Sequence, residues 1–262
     1  MGVLNVTPDS FSDGGKFSSL DAALRQAGRM AAEGAAIIDV GGESTRPGAA
    51  TVGEQQEMDR VVAVIEAICA ELDTPVSVDT SNPNVMAAAV AAGAAMINDV
   101  RALQRTGALA MAARLQRPVC LMHMQGSPAT MQERPEYDDV VQEVTRFLEE
   151  RVAQCVAAGL AKQLLLVDPG FGFGKTPAQN IELLANLRQL QQLGCPVLIG
   201  VSRKSTLGVI TGRDVAQRMP ASIAAAVIAV MHGAQIVRAH DVEATVDALK
   251  VVQYLMDSGT AK

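Results

Sequence analysis

Reactive side chains recur at the ends of short apolar runs along this chain. Asn5 follows Gly-Val-Leu, Asp39 follows Ala-Ile-Ile, Asp79 follows Val-Ser-Val and Asn98 follows Ala-Met-Ile. Past the midpoint, His123 follows Pro-Val-Cys-Leu-Met, Asp168 follows Leu-Leu-Leu-Val, Ser202-Arg203-Lys204 follows Val-Leu-Ile-Gly-Val, and Arg238 with His240 closes Gln-Ile-Val. Two chemistries are represented. A buried carboxylate accepts two parallel N–H donors from a guanidine-like edge, so Asp79, Asn98 and Asp168 together suit one flat aminated heterocycle. Arg238 and His240, two residues apart on an extended chain, point the same way and suit an anion.

These side chains need a scaffold that gathers strand ends. The apolar runs predict strands near 2–5, 35–39, 75–79, 95–98, 118–122, 164–168, 197–201 and 235–238, with helical stretches between them. Helices are expected at Leu20 to Glu33 with Ser18 and Ser19 as N-caps, at Glu54 to Leu72, and at about 83–92, 108–115, 137–158, 177–192 and 221–232, with a last one after Asp241. Pro83, Pro177 and Pro220 fall near helix starts, where the missing N–H costs nothing. Eight βα units in 262 residues predict a single α/β domain over 1–262, a (β/α)8 TIM barrel of about 250 residues with its active site at the C-terminal ends of the strands. A flavodoxin-like doubly wound sheet also alternates strand and helix, but fits eight polar strand ends less well.

Composition narrows the function. Hydrophobic residues make up 49% of the chain, enough for one sizeable core, while aromatics make up 3% and Trp is absent. A formal charge of −6 gives no general attraction to phosphate backbones or anionic membranes, so neither nucleic acid nor membrane is expected as a partner. Cys69, Cys120, Cys155 and Cys195 form no Cys-x-x-Cys pair, which argues against zinc or disulfides and for reduced thiols in a cytoplasmic protein. No apolar run nears 18 residues and the N-terminus lacks the pattern of a signal peptide. His232, within a helical stretch, reads as structural, and His123 divides evenly between structure and function.

Two polar loops, Asn5 to Gly15 and Gly41 to Gly48, are placed to hang over the barrel mouth, where Thr45 and Arg46 offer a hydroxyl and a forked cation. Asp168-Pro-Gly-Phe-Gly-Phe-Gly-Lys175 has glycines at 170, 172 and 174, which is neither phosphate-loop spacing. Ser205 opens a short helix after the seventh strand, and Lys204 projects toward the mouth.

These segments, Met1 to Gly15, Ile38 to Gly48, Asp168 to Gly174, Ser202-Arg-Lys-Ser205 and Arg238-x-His-Asp241, resemble the dihydropteroate synthase family from the first residue to about 255. The resemblance implies condensation of 6-hydroxymethyl-7,8-dihydropterin diphosphate with p-aminobenzoate, assisted by Mg2+. It implies a pterin site at Asp79, Asn98, Asp168 and Lys204, a diphosphate site at Asn5, Arg46, Arg238 and His240, and p-aminobenzoate near Phe11, Thr45, Pro47, Phe173 and Ser205. Asn5 becomes the protein ligand nearest Mg2+, and Asp79, Asp168, Lys204 and Arg238 the catalytic set. A homodimer, a largely dissociative alkyl transfer and inhibition by sulfonamides are further implications. Members of the family usually carry a short stretch before the first strand, where this chain begins on the strand itself. A methyltetrahydrofolate-type methyltransferase shares the pterin pocket but needs no Arg238-His240 clamp. A non-catalytic pterin-binding subunit would show eroded loops, and a metal hydrolase would need companion histidines at ligand spacing.

Overall fold

Strand and helix alternate throughout the computed structural model, which describes residues 1–6, 16–43, 52–126, 130–132 and 135–258. The order is β1 (Gly2–Asn5), α1 (Lys16–Ala32), β2 (Ile38–Gly41), α2 (Glu54–Glu71), β3 (Val76–Asp79), α3 (Pro83–Ala91), β4 (Met96–Asp99), α4 (Ala108–Leu115), β5 (Val119–Met122), α5 (Val140–Ala157), β6 (Leu165–Asp168), α6 (Pro177–Ala185), β7 (Leu198–Ile199), α7 (Ser205–Thr211), α8 (Met219–Met231), β8 (Ile236–Val237) and α9 (Val242–Asp257). Strands β1 to β6 form one parallel sheet in chain order, and β7 pairs with β8. Isolated parallel bridges join Val167 to Val197 and Gly2 to Ala239, which carries β6 onto β7 and brings β8 round to β1. The predicted (β/α)8 architecture follows.

Side-chain alternation decides what lies inside the ring. Leu4, Ile38, Val40, Val76, Val78, Ile97, Val119, Leu121, Leu165 and Val167 belong to the main core, packed with residues of the surrounding helices. The alternate positions face inward, where Met96, Cys120, Leu166 and Leu198 cluster with Met1, Ile37 and Ile236 as an apolar floor. Above that floor the inward positions become polar: Asp39, Ser77, Asn98 and Asp168 are all buried.

Local chemistry sets the element ends. Asn82 and Asp139 accept N–H bonds from Asn84 and Gln142, and Thr176 with Gln179 forms a reciprocal capping box. Proline occupies the first turns of α3, α6 and α8, as expected. Several boundaries differ from expectation, three of them instructively. Helix α1 begins at Lys16, so Ser18 and Ser19 lie inside it. The stretch from 177 breaks at Asn186 and continues as a tighter 3-10 turn over Leu187–Leu193. Strand β2 starts at Ile38, because Gly34 takes a left-handed turn (φ +93°) and Ala35 N–H closes back on Met30 O. Asp39 is therefore an interior strand residue, not a strand end.

The turn after β4 is held by one carboxylate. Ala102 and Leu103 adopt φ of 49° and 58°, left-handed values that non-glycine residues avoid. Asp99, fully buried, accepts the N–H groups of Arg101 at 2.8 Å and Leu103 at 2.7 Å and the hydroxyl of Ser81. Arg151 Nε secures Ala102 O at 2.8 Å. Asp99→Ala strands three donors around an uncollapsible turn, and is expected to lower unfolding free energy by about 3 kcal/mol or more. Urea denaturation checks this, and an unchanged midpoint would show that the turn holds without the carboxylate.

Candidate active site

The polar layer centres on Arg238, delivered by the residue after β8. Its Nε donates to Asp39 Oδ2 at 2.6 Å and its Nη2 to Asp79 Oδ2 at 2.8 Å. Asn98 Nδ2 donates to the same Asp39 oxygen at 3.1 Å. One oxygen of Asp39 thus serves two donors, while Oδ1, also buried, has no hydrogen-bond partner among the described residues. Burial raises the pKa of Asp79; the adjacent Arg238 opposes that shift and Asp39 adds to it. Burial works against the Arg238 charge, but the two carboxylates outweigh it and raise its pKa.

The β6 end supplies a second acid. Asp168 Oδ1 accepts the Gly170 N–H at 2.7 Å. Burial pushes its pKa up to about 6, with the Gly170 bond and the Lys204 and Lys175 charges pulling the other way. Lys204, half-buried, stands with Nζ 3.9 Å from the centroid of the Phe173 ring. Burial and the Arg238 charge bring its pKa down to about 8, against the pull of Asp168 and Asp79. Phe173 lies in a small apolar group with Val100, Met122 and Met131. Beside it a cavity of about 440 Å³ opens above β4 and β5, lined by Val100, Arg101, Gln104, Arg105, Met122, Met124 and Gly126.

On the remaining side, His240 Nδ1 lies 3.0 Å from Ser202 Oγ, which also accepts the His240 backbone N–H at 3.1 Å. Burial, then the Arg238 and Arg203 charges, bring the His240 pKa down to about 4, so the ring is neutral at pH 7. The neutral ring can offer an N–H to a ligand. Arg203, at a left-handed φ of 59°, forms a bidentate pair with Asp241 at 2.5 and 3.0 Å, and Ser205 is exposed at the start of α7. Asn5 ends β1 in register with Gly41, which in turn pairs with Asp79.

Asn5, Asp79, Asn98, Asp168, Lys204, Ser205, Arg238, His240 and Phe173 thus share the C-terminal end of the barrel. Phe11, Thr45, Arg46 and Pro47 lie outside the described residues. Arg238 is also engaged by two carboxylates, Asp39 and Asp79. Sequence reasoning gave no site role to Asp39, whose inward direction was legible only with the strand register right, or to Lys175, whose burial nothing in its loop sequence disclosed. His232 is structural, its ring nitrogen 3.1 Å from Leu184 O. Cys120, Cys155 and Cys195 are buried and Cys69 is exposed, all four as free thiols.

Comparison with known proteins agrees with this arrangement. A family model described as pterin binding enzyme matches residues 1–240. The chain is 53% identical over 253 residues to the dihydropteroate synthase of Escherichia coli (strain K12), covering 97% of this chain and 90% of that protein. It superposes with a TM-score of 0.94 and 54% identity on a Yersinia pestis dihydropteroate synthase in a sulfonamide drug complex, over 98% of this chain and 94% of that one. For a Xanthomonas albilineans dihydropteroate synthase with 4-aminobenzoic acid the TM-score is 0.93 at 54% identity, over 98% and 92% of the two chains. With buried acids facing cations across a (β/α)8 barrel mouth and this similarity running almost end to end, the chain belongs to the dihydropteroate synthase family of pterin-binding transferases.

Proposed function

We propose that the chain joins 6-hydroxymethyl-7,8-dihydropterin diphosphate to p-aminobenzoate, forming 7,8-dihydropteroate and diphosphate. The observation that carries this reading is the single polar layer in which Asp79, Asn98, Asp168 and Lys204 stand beside Arg238 and His240. A pterin presents an amino-pyrimidine edge whose parallel N–H groups match Asp168, and Asn98 completes the recognition as both donor and acceptor. Lys204 donates to the ring acceptors.

The reaction breaks the bond between the pterin methylene and a diphosphate oxygen, and the electron pair leaves with diphosphate. Positive charge then spreads over methylene and ring, facing Asp79 and Asp168, while the leaving group gains charge near Arg238, His240, Arg46 and Asn5. Preorganised opposite charges at the two ends lower the same barrier, so bond breaking runs ahead of bond making. The arylamine nitrogen attacks the methylene carbon and loses a proton to the departing diphosphate or to water. Phe11, Thr45, Pro47, Phe173 and Ser205 surround the amine in this reading. No protein nucleophile takes part.

Mg2+ fits the donor set: among the described residues nothing hydrogen-bonds the Asn5 carboxamide, and its oxygen suits a hard cation that takes its other ligands from diphosphate and water. When bound, the ion would neutralise charge building on the leaving group. A homodimer is supported by exposed apolar side chains, among them Val209 and Ile210 on α7, Ile228 and Met231 on α8 and Tyr254 on α9. Among the described residues no helix is long and apolar enough to cross a membrane, which accords with a cytoplasmic enzyme.

Diphosphate release from dihydropterin diphosphate should require p-aminobenzoate and Mg2+, with dihydropteroate identified by mass; release without the amine, or none from folded protein, would sink the assignment. Asp79→Asn and Arg238→Ala should each lower kcat on the order of 10²–10³, the usual loss for one preorganised electrostatic partner, measured on protein that circular dichroism shows to be folded; Arg238→Ala should also lower stability. A sulfonamide should inhibit competitively with p-aminobenzoate. The raised Asp168 pKa sets a pH signature in two readouts. Its protonated form is favoured by the fold, so the stability it contributes is complete below about 3.8 and is lost as pH rises through about 6. Wild type should therefore lose stability relative to Asp168→Asn over that window, while kcat/KM for the pterin substrate falls below about pH 6 as the carboxylate is neutralised. Parallel stability curves for the two proteins would contradict this.

A further inference from the structure

The loop that carries Phe173 is closed by a buried lysine held by three neutral hydrogen-bond partners. Lys175 is 2% exposed, and its Nζ lies 3.0 Å from His123 Nδ1, 3.0 Å from Gly170 O and 2.9 Å from Phe173 O. Among the described residues it takes part in no ion pair. Burying an ammonium is costly: burial lowers its pKa to about 7, and the nearby Asp168 charge opposes only part of that shift. A site that tolerates that cost has a use for three N–H donors at one point.

We infer that Lys175, bonded to His123 and to the carbonyls of Gly170 and Phe173, is a positioning residue that fixes the Phe173 ring beneath Lys204 and so governs affinity for the aromatic amine. The inference rests on the reading of Phe173 as facing p-aminobenzoate.

The rest of the loop leaves Lys175 as its central tie. Gly172 N–H donates to Asn180 Oδ1 at 2.7 Å, and Asn180 Nδ2 donates to Thr206 Oγ1 at 3.0 Å, next to Ser205 on α7. Gly172 O accepts from Gln132 Nε2 and Gly174 O from Tyr137 Oη, both at 2.8 Å. The backbone lies tight against β5: at Gly170, φ +69°, a Cβ would stand 1.8 Å from His123 O. Both ends of the chain around Phe173 are thus pinned, and Lys175 binds the carbonyl of Phe173 itself. His123 suits the role because its ring, edge-on to Phe147 at 4.9 Å between centroids, is buried and neutral, its pKa far below the usual value through burial and the Lys175 charge. Its Nδ1 accepts from the ammonium. If the lysine loses its proton, the other imidazole tautomer donates to the amine lone pair, so the tie survives either charge state.

The test uses the purified protein with both substrates, comparing wild type, Lys175→Met, Lys175→Gln and Phe173→Ala. Lys175→Met is expected to raise KM for p-aminobenzoate about tenfold or more and to weaken sulfonamide binding in parallel, with a much smaller change in kcat. Lys175→Gln, keeping two donors, should recover part of that affinity. If Lys175→Met fails to fold, Lys175→Gln and His123→Gln supply the same measurements. A lowered Tm with unchanged KM for p-aminobenzoate would overturn the inference and leave Lys175 a stabilising residue only. Should Phe173→Ala leave that KM unchanged, the reading of Phe173 falls, and the inference with it.

Discussion

One guanidinium holds the inside of this barrel together. Arg238, supplied by the last strand, reaches across the ring to carboxylates on the second and third, so residues 199 and 159 positions away in sequence meet in one bonded group. Two acids around one base leave an excess negative charge in a buried place, and among the described residues Asp39 keeps one buried oxygen without a hydrogen-bond partner. Such an arrangement is stable only because the attraction at 2.6 and 2.8 Å offsets much of the desolvation of three charged groups. The unbalanced remainder favours a ligand that brings positive character to the pterin end. Neutral His240 and depressed Lys204 fit the same picture, since burial near Arg238 disfavours further cations.

The fold was largely legible because the physics that makes it is local. Short apolar runs, prolines at helix starts and polar residues at run ends located all eight strands, since each strand buries one face on the floor and the other on helices. Errors arose where backbone geometry overrode composition. Ala35, Ala36 and Ile37 are as apolar as any strand, yet the Gly34 turn delays pairing until Ile38. The break at Asn186 was equally invisible, as its neighbours are good helix formers.

The site was legible as a list but not as a circuit. Residue types at strand ends named Asp79, Asn98, Asp168, Lys204, Arg238 and His240, and they do converge. What the chain alone could not disclose is which of them spend their hydrogen bonds on each other. Arg238 is engaged by two carboxylates, which the spacing of Arg238 and His240 did not announce. Lys175 read as the tail of a glycine loop, because nothing in Gly-Phe-Gly-Lys tells of three acceptors closing on one nitrogen. Those outcomes depend on distances of about 3 Å set by tertiary packing, where sequence spacing carries no information.

The alternation inside the ring has an implication for how this site can change. Ile37, Asp39, Ser77, Asp79, Met96, Asn98, Leu166 and Asp168 face inward only because each strand keeps its parity, with Ile38, Val40, Val78, Ile97 and Val167 facing the helices. Inserting or deleting one residue within β2, β3, β4 or β6 would turn the inward polar side chains (Asp39, Asp79, Asn98, Asp168) into the helix layer and their apolar neighbours into the mouth in a single step. Loops can change length without disturbing this parity, whereas within these four strands only substitution preserves it, and the length of each strand is as much a part of the chemistry as the acids it carries.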